Sequence, residues 1–191
     1  MRPILDVVVE LHDALNGANI RHAFGGAFAL LWCTGEPRTT IDIDLNLFVE
    51  PEQLHLVLAA LPQRLLVTPE QHERFAREGQ VRLTYDEIPV DIFLSTSDFH
   101  ADVQLRTSRH ELADRRLPFL SCSDLAVFKA FFNRRKDWAD IEEMVRADQI
   151  DVASVVGILT EYLGEGDPRV VQLMAIRNEV ILEAAAARTS S

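Results

Sequence analysis

Two aspartates stand two residues apart in the segment 41–49, which reads Ile-Asp-Ile-Asp-Leu-Asn-Leu-Phe-Val. Apolar and polar residues alternate through Leu47, the pattern of a half-buried strand. Side chains two apart on a strand share a face. Asp42 and Asp44 therefore project together with Asn46, opposite to Ile41, Ile43, Leu45 and Leu47, which face a core. Two carboxylates side by side repel unless something neutralises them, and a divalent cation prefers such hard oxygen ligands. An Asp-x-Asp pair alone is more often a solvated strand face. This pair is embedded in strong β-formers, where aspartate is disfavoured, and that setting favours the metal reading. Asp91 repeats the theme in the apolar run Val90-Asp91-Ile92-Phe93-Leu94. Laid beside the first strand it completes a three-carboxylate site; alone it is an edge residue.

Other residues gather around these acids in the sequence. Gly25-Gly26 precedes Asp42 by fifteen intervening residues and sits between a short strand and an apolar helix. Such a turn brings backbone N–H groups to a helix N-terminus, which favours phosphate, although a Gly-Gly pair is also a common tight turn. Arg38-Thr39-Thr40 leads into the acidic strand, with Arg38 placed either to bind phosphate or to brace the aspartates. Further on, Lys129 lies on a largely apolar helical face with Leu125, Phe128 and Phe132. A lysine there must reach a partner or snorkel out. If that helix continues, Lys129, Asn133, Lys136 and Asp140 form one polar stripe, as a cleft lining or as a solvated face with a Lys136–Asp140 ion pair.

The elements that position these residues follow from periodicity. Helices are expected at 3–16, 27–33 and 51–61, and strands at 20–24, 41–49, 65–67, 80–85 and 89–94, the last two around an Asp86-Glu87 turn. After Ser95 the chain reads as helical, with one extended piece at 117–120. Helices then fill 124–147, 152–163 and 168–187, and 188–191 is expected to fray. This order is a mixed α/β half, residues 1–120, followed by a helical part, residues 121–191.

The chain has 191 residues, 48% hydrophobic and 26% charged, with 8 Gly and 8 Pro. That is enough to bury one ordinary core, and it excludes a disordered chain, a collagen-like repeat and a disulfide scaffold. The apolar run 25–33 is too short to span a bilayer, and Asp6, Glu10 and Asp13 interrupt any signal-like start. Cys33 and Cys122 fit a cytoplasmic protein with two buried thiols, with a disulfide between them left open. The formal charge is −11, from 19 Lys+Arg against 30 Asp+Glu. Bulk electrostatics therefore repel nucleic acid and anionic membrane. A nucleic-acid substrate must meet a local basic patch or a basic partner. Two basic runs are candidates, Arg134-Arg135-Lys136 and the set Arg106, Arg109, Arg115 and Arg116. The six histidines show no zinc spacing, and Trp32 and Trp138 read as core.

Gly25-Gly26, then Arg38-x-Thr40-x-Asp42-Ile-Asp44-Leu45, then the strand bearing Asp91 resembles the nucleotidyltransferase superfamily with a polymerase-β-type palm. The segment from Asp124 through Lys129, Arg134, Arg135, Lys136, Asp137 and Asp140 is similar to the closing motif of AbiEii-like nucleotidyltransferase toxins. The resemblance covers residues 21–141. It implies an α/β palm, a small mixed sheet flanked by helices, followed by a helical C-terminal part. It implies that Gly25 and Gly26 hold the triphosphate of an NTP, with Arg38, Thr40, Lys136 and Asp137 nearby. Asp42, Asp44 and a third carboxylate, Asp91, would hold two Mg²⁺ ions. Lys129 would contact nucleotide phosphate, and Asp137 or Asp140 would fill the last acidic motif, with Asp140 grouped among the catalytic residues. The implied reaction transfers a nucleoside monophosphate to the 3′ end of tRNA, in a toxin paired with an antitoxin protein and acting in the cytoplasm without a membrane. A small-molecule acceptor of the aminoglycoside or lincosamide type, a protein acceptor of AMP and a non-catalytic interaction module are the alternatives. The chain departs from many relatives in having Gly-Gly where they have Gly-Ser, so one hydroxyl near the phosphates is missing.

Overall fold

A computed structural model describes residues 3–189. The chain divides into two compact units, Met1–Ala29 with Pro37–Leu120, and Leu30–Glu36 with Ser121–Ser191.

The first unit is built on a six-stranded mixed sheet in the order β3-β4-β2-β1-β6-β5. Its strands are β1 (His22–Phe24), β2 (Ile43–Leu47), β3 (Gln80–Tyr85), β4 (Ile88–Leu94), β5 (Ser108–Leu112) and β6 (Arg115–Phe119). β2 pairs with β4 in parallel and β1 with β6 in parallel, while the β1–β2, β3–β4 and β5–β6 pairs are antiparallel. The helices are α1 (Ile4–Gly17), the first turn of α2 (Gly26–Thr34), α3 (Leu54–Ala60), α4 (Pro69–Glu78) and α5 (Asp98–Val103). Val7, Val8, Leu11 and Leu15 of α1 are fully buried, as the helical spacing requires, and so are Ile43, Leu45 and Leu47 of β2 and Val90 and Ile92 of β4.

Three local expectations are corrected in this unit. Ile41 lies outside β2 and is 76% exposed, because the strand starts only at Ile43. Residues 65–67 form no strand; Leu65 is buried but Leu66 is exposed. The polar stretch after it is α4, where Thr68 and Gln71 form a reciprocal capping box, Pro69 opens the first turn and Gly79 closes the helix at φ +65. Only Phe75 of α4 is buried, so its apolar period is too thin to read. The helical stretch expected after Ser95 is α5 alone. A hairpin, β5–β6, follows it, turning at Ala113 and Asp114 with φ +51 and +57. Neither turn residue is glycine, so the turn carries no strong signal in the sequence.

The second unit holds the rest of α2 and four helices: α6 (Cys122–Phe132), α7 (Arg135–Arg146), α8 (Val152–Leu163) and α9 (Pro168–Thr189). Residues 190–191, where fraying is expected, lie outside the described residues. A single helix over 124–147 is not formed. Asn133 adopts the left-handed conformation, φ +55, and ends α6. Its side-chain oxygen accepts from Trp138 Nε1 at 2.7 Å, which fixes the corner. The continuous stripe of Lys129, Asn133, Lys136 and Asp140 therefore does not exist. Cys33 and Cys122 are joined in a disulfide, with Cα atoms 5.5 Å apart, and are not the two free thiols expected.

Candidate active site

The acids of the first unit are brought together by strand register. Asp44 of β2 stands opposite Asp91 of β4, and Arg82 of β3 stands opposite Asp91 from the other side. Arg82 Nε donates to Asp91 Oδ1 at 2.7 Å and Nη2 donates to Oδ2 at 2.5 Å, a two-pronged match of guanidinium and carboxylate. The same Nη2 is 3.6 Å from Asp42 Oδ2. The bonds to Asp91 hold the guanidinium well above its ordinary pKa, and the charges of Asp42 and Asp44 add to this. Asp42 is fixed from the loop before β2, where Thr40 Oγ1 donates to its Oδ1 at 2.9 Å. Arg38 lies exposed in that loop.

The Gly25-Gly26 turn packs onto the same acids. Gly25 N donates to the Asp44 carbonyl at 2.9 Å, and Gly25 O accepts from Ala29 N as α2 begins. Gly26 has φ +52, and a Cβ there would lie 1.8 Å from Asp44 Oδ2. No residue but glycine fits. At Gly25 a Cβ would meet Asn46 Nδ2 at 3.1 Å and Leu120 Cδ1 at 3.2 Å, a tight but less prohibitive fit. The Asp44 carboxylate thus lies against the N-terminal end of α2, whose first amides have no intrahelical acceptor and whose dipole favours negative charge.

The chemistry of this donor set suits Mg²⁺: Asp44 and Asp91 at paired register positions and Asp42 just before β2, all hard oxygen ligands. Among the described residues no three such side chains are closed around a metal position. The guanidinium of Arg82 supplies the neutralising positive charge between Asp91 and Asp42.

In the second unit Lys129 is buried, 8% exposed, and its Nζ donates to Asp140 Oδ2 at 2.6 Å. Asp137 Oδ1 is 3.7 Å from the same nitrogen. Asp137 is fully buried and caps α7: it accepts from the Arg134 backbone N–H at 3.2 Å and from the Arg134 guanidinium at 2.7 and 3.1 Å. Asp140 is thus taken by Lys129, and the Lys136–Asp140 pair considered from sequence is not made; Lys136 is exposed.

Arg82 is the site residue that sequence reasoning missed. A signal for it exists. A two-residue turn at Asp86-Glu87 pairs Tyr85 with Ile88, and counting outward pairs Arg82 with Asp91.

A six-stranded mixed sheet with carboxylates on the neighbouring strands β2 and β4, beside a Gly-Gly turn that opens a helix, defines the nucleotidyltransferase fold. Two solved structures agree. A nucleotidyltransferase-like antigenic protein from Paracoccidioides brasiliensis matches with a TM-score of 0.53 and 15% identity, over 97% of this chain and 90% of that one. The antibiotic-resistance factor ANT(2″)-Ia matches with a TM-score of 0.51 and 12% identity, over 97% and 95%. The comparison with curated proteins gives no match. The chain belongs to the family described as nucleotidyl transferase AbiEii toxin of type IV toxin–antitoxin systems, whose sequence pattern matches residues 11–189. It is a nucleotidyltransferase, and membership implies an NTP substrate and an antitoxin counterpart. Among the described residues no helix is long and apolar enough to cross a membrane.

Proposed function

We propose that this chain is a translation-blocking toxin that transfers a nucleoside monophosphate from an NTP to the 3′ hydroxyl of tRNA. The acceptor oxygen bonds to the α-phosphorus, the bond from that phosphorus to the α–β bridging oxygen breaks, and pyrophosphate leaves. One observation carries the reading: the register that places Asp44 beside Asp91, with the Asp44 carboxylate seated against Gly26. The first-turn amides of α2 receive the triphosphate in this reading, and Thr40 holds Asp42 in position. Asp42, Asp44 and Asp91 would hold Mg²⁺. The chemistry such an ion would supply there is charge neutralisation at the transferring phosphate. In the second unit, the Lys129–Asp140 pair and the Asp137 cap hold the closing motif together.

A second reading keeps the chemistry and changes the acceptor. The net charge of −11 favours a cationic small molecule over an RNA. The two readings separate in one assay. The protein, Mg²⁺ and each α-³²P-labelled NTP are incubated with total tRNA or with an aminoglycoside. Label on tRNA alone supports the toxin reading, and label on the aminoglycoside alone overturns it in favour of the second.

A further inference from the structure

Two adjoining cavities lie in the first unit at the end of the sheet remote from the carboxylates. β2 begins beside Asp42 and ends at Leu47, so Phe48 lies about 13 Å along the strand from Asp44 at the usual rise per residue. One cavity, about 520 Å³, is lined by Arg21, Arg109, Asn16, Asn19 and Thr107 among others. Its neighbour, about 570 Å³, is lined largely by apolar groups, among them Ala18, Val49, Leu56 and Ala60. The two share Asn19, Ile20, Arg21, Phe48 and Gln104, so they adjoin along a common wall.

The charges around this space are unbalanced in a way that points to an anion. No aspartate or glutamate lines either cavity. Among the described residues Arg109 forms no hydrogen bond or ion pair, and Arg21 meets only the neutral Gln104 Oε1, at 3.1 Å. Other arginines of the chain are paired with acids: Arg64 takes Asp86, Arg74 takes Glu78, Arg82 takes Asp91 and Arg169 takes Asp167. In a chain with 30 acidic and 19 basic residues, Arg21 and Arg109 face one cavity that no carboxylate lines. While the Thr107 hydroxyl donates to the Gln104 carbonyl at 3.3 Å, the amides of Asn16 and Asn19 add donors. Together these exceed what the two oxygens of a carboxylate can use and suit the three terminal oxygens of a phosphate monoester. The apolar neighbour, with Phe48 on the shared wall, suits a flat or apolar body attached to that phosphate.

We propose that the adjoining cavities are a binding site for a small organic phosphate of nucleoside monophosphate size. Its phosphate lies between Arg21 and Arg109, and its ring passes Phe48 into the apolar chamber. The site is separate from the carboxylate site, and its existence does not depend on which acceptor that site uses.

Isothermal titration of the full chain with AMP in EDTA tests this, since the carboxylate site then lacks divalent cations. The expected result is one AMP per chain, with adenosine and inorganic phosphate each at least tenfold weaker. Arg21→Gln/Arg109→Gln weakens AMP at least tenfold, and both side chains are exposed, so the fold is retained. Leu56→Asp, in the apolar chamber, weakens AMP but leaves inorganic phosphate unchanged. Asp42→Asn/Asp44→Asn binds AMP as the parent chain does. Absence of saturable AMP binding overturns the proposal. So does inorganic phosphate binding as tightly as AMP, or AMP binding that is lost in the aspartate variant and untouched in the arginine variant.

Discussion

Arg82 and Asp91 face each other across the β3–β4 hairpin, and the guanidinium takes both oxygens of the carboxylate while reaching Asp42 at 3.6 Å. An arginine thus supplies the positive charge that the acid cluster needs. Replacing it leaves the acids to be neutralised by bound cations alone. For Arg82→Gln we expect a lower melting temperature than the parent chain in EDTA, and a larger rise on adding Mn²⁺. Thermal melting with and without Mn²⁺ measures both. Equal metal-induced rises in the two proteins would show that Arg82 does not compete for the acids.

Gly26 is the most restrictive position beside the site. In Gly26→Ala the added methyl must displace the Asp44 carboxylate, which would otherwise lie 1.8 Å away. The left-handed backbone at φ +52 costs alanine a further ~1–2 kcal/mol. We expect nucleotidyl transfer to fall by about 100-fold or more, in keeping with the sensitivity of such sites to misplacement, while the chain still folds. Gly25→Ala, with contacts of 3.1 and 3.2 Å, loses less. Initial rates and far-UV circular dichroism of the two variants check the ranking.

Lys129 and Asp140 form a buried pair in the second unit, with Asp137 beside them. Removing one partner strands a buried charge, at a cost of about 3–5 kcal/mol. Lys129→Met and Asp140→Asn should each lower the urea midpoint strongly, and the double variant should lose less than the sum. Urea titration of the three variants gives the coupling directly. Unchanged stability of Lys129→Met would free the lysine for the phosphate contact that the family resemblance implies.

The histidine pair of the first unit makes stability depend on pH. His22 Nδ1 donates to the Ile20 carbonyl at 2.8 Å, so in the neutral ring Nε2 accepts from His12 Nδ1 at 2.9 Å. Burial pushes His22 down to about 4, and the positive charge of Arg109 adds to this. His12 is lowered too, chiefly by burial, with Arg109 and Arg115 adding and Asp13 opposing. A group with a depressed folded-state pKa stabilises fully above the unfolded value near 6.5, and that stability is lost as pH falls towards 4. For His22 the whole span is worth about 3 kcal/mol. We expect the unfolding free energy to fall between pH 6.5 and 4, and more gently in His22→Gln. Urea midpoints across that range, in both proteins, check the difference in slope.

The acids of the site are legible in sequence because each breaks a strand pattern: Asp42 and Asp44 in one apolar strand, Asp91 in another. Their meeting rests on the β2–β4 pairing, which joins segments some forty residues apart and leaves no local trace. Arg82 is legible only through hairpin counting. Lys129 reads as a lysine in need of a partner, and Asp140 is the partner. The break between α6 and α7 is hidden because Asn133 ends a helix without glycine or proline. The β5–β6 hairpin escapes notice because the residues of β5 are polar and gain their strand conformation from pairing with β6. The Cys33–Cys122 bond spans 89 residues, and spacing alone cannot bring two cysteines to 5.5 Å.

The central claim is that Asp42, Asp44 and Asp91 act as one nucleotidyl-transfer site. The most direct test measures label transfer from α-³²P NTP to tRNA by the parent chain and by Asp42→Asn, Asp44→Asn and Asp91→Asn, each checked for folding. The account predicts transfer by the parent chain and a loss of at least about 100-fold in every variant, the scale on which transition-state electrostatics act. A folded variant of any one of the three that transfers at the parent rate would contradict it.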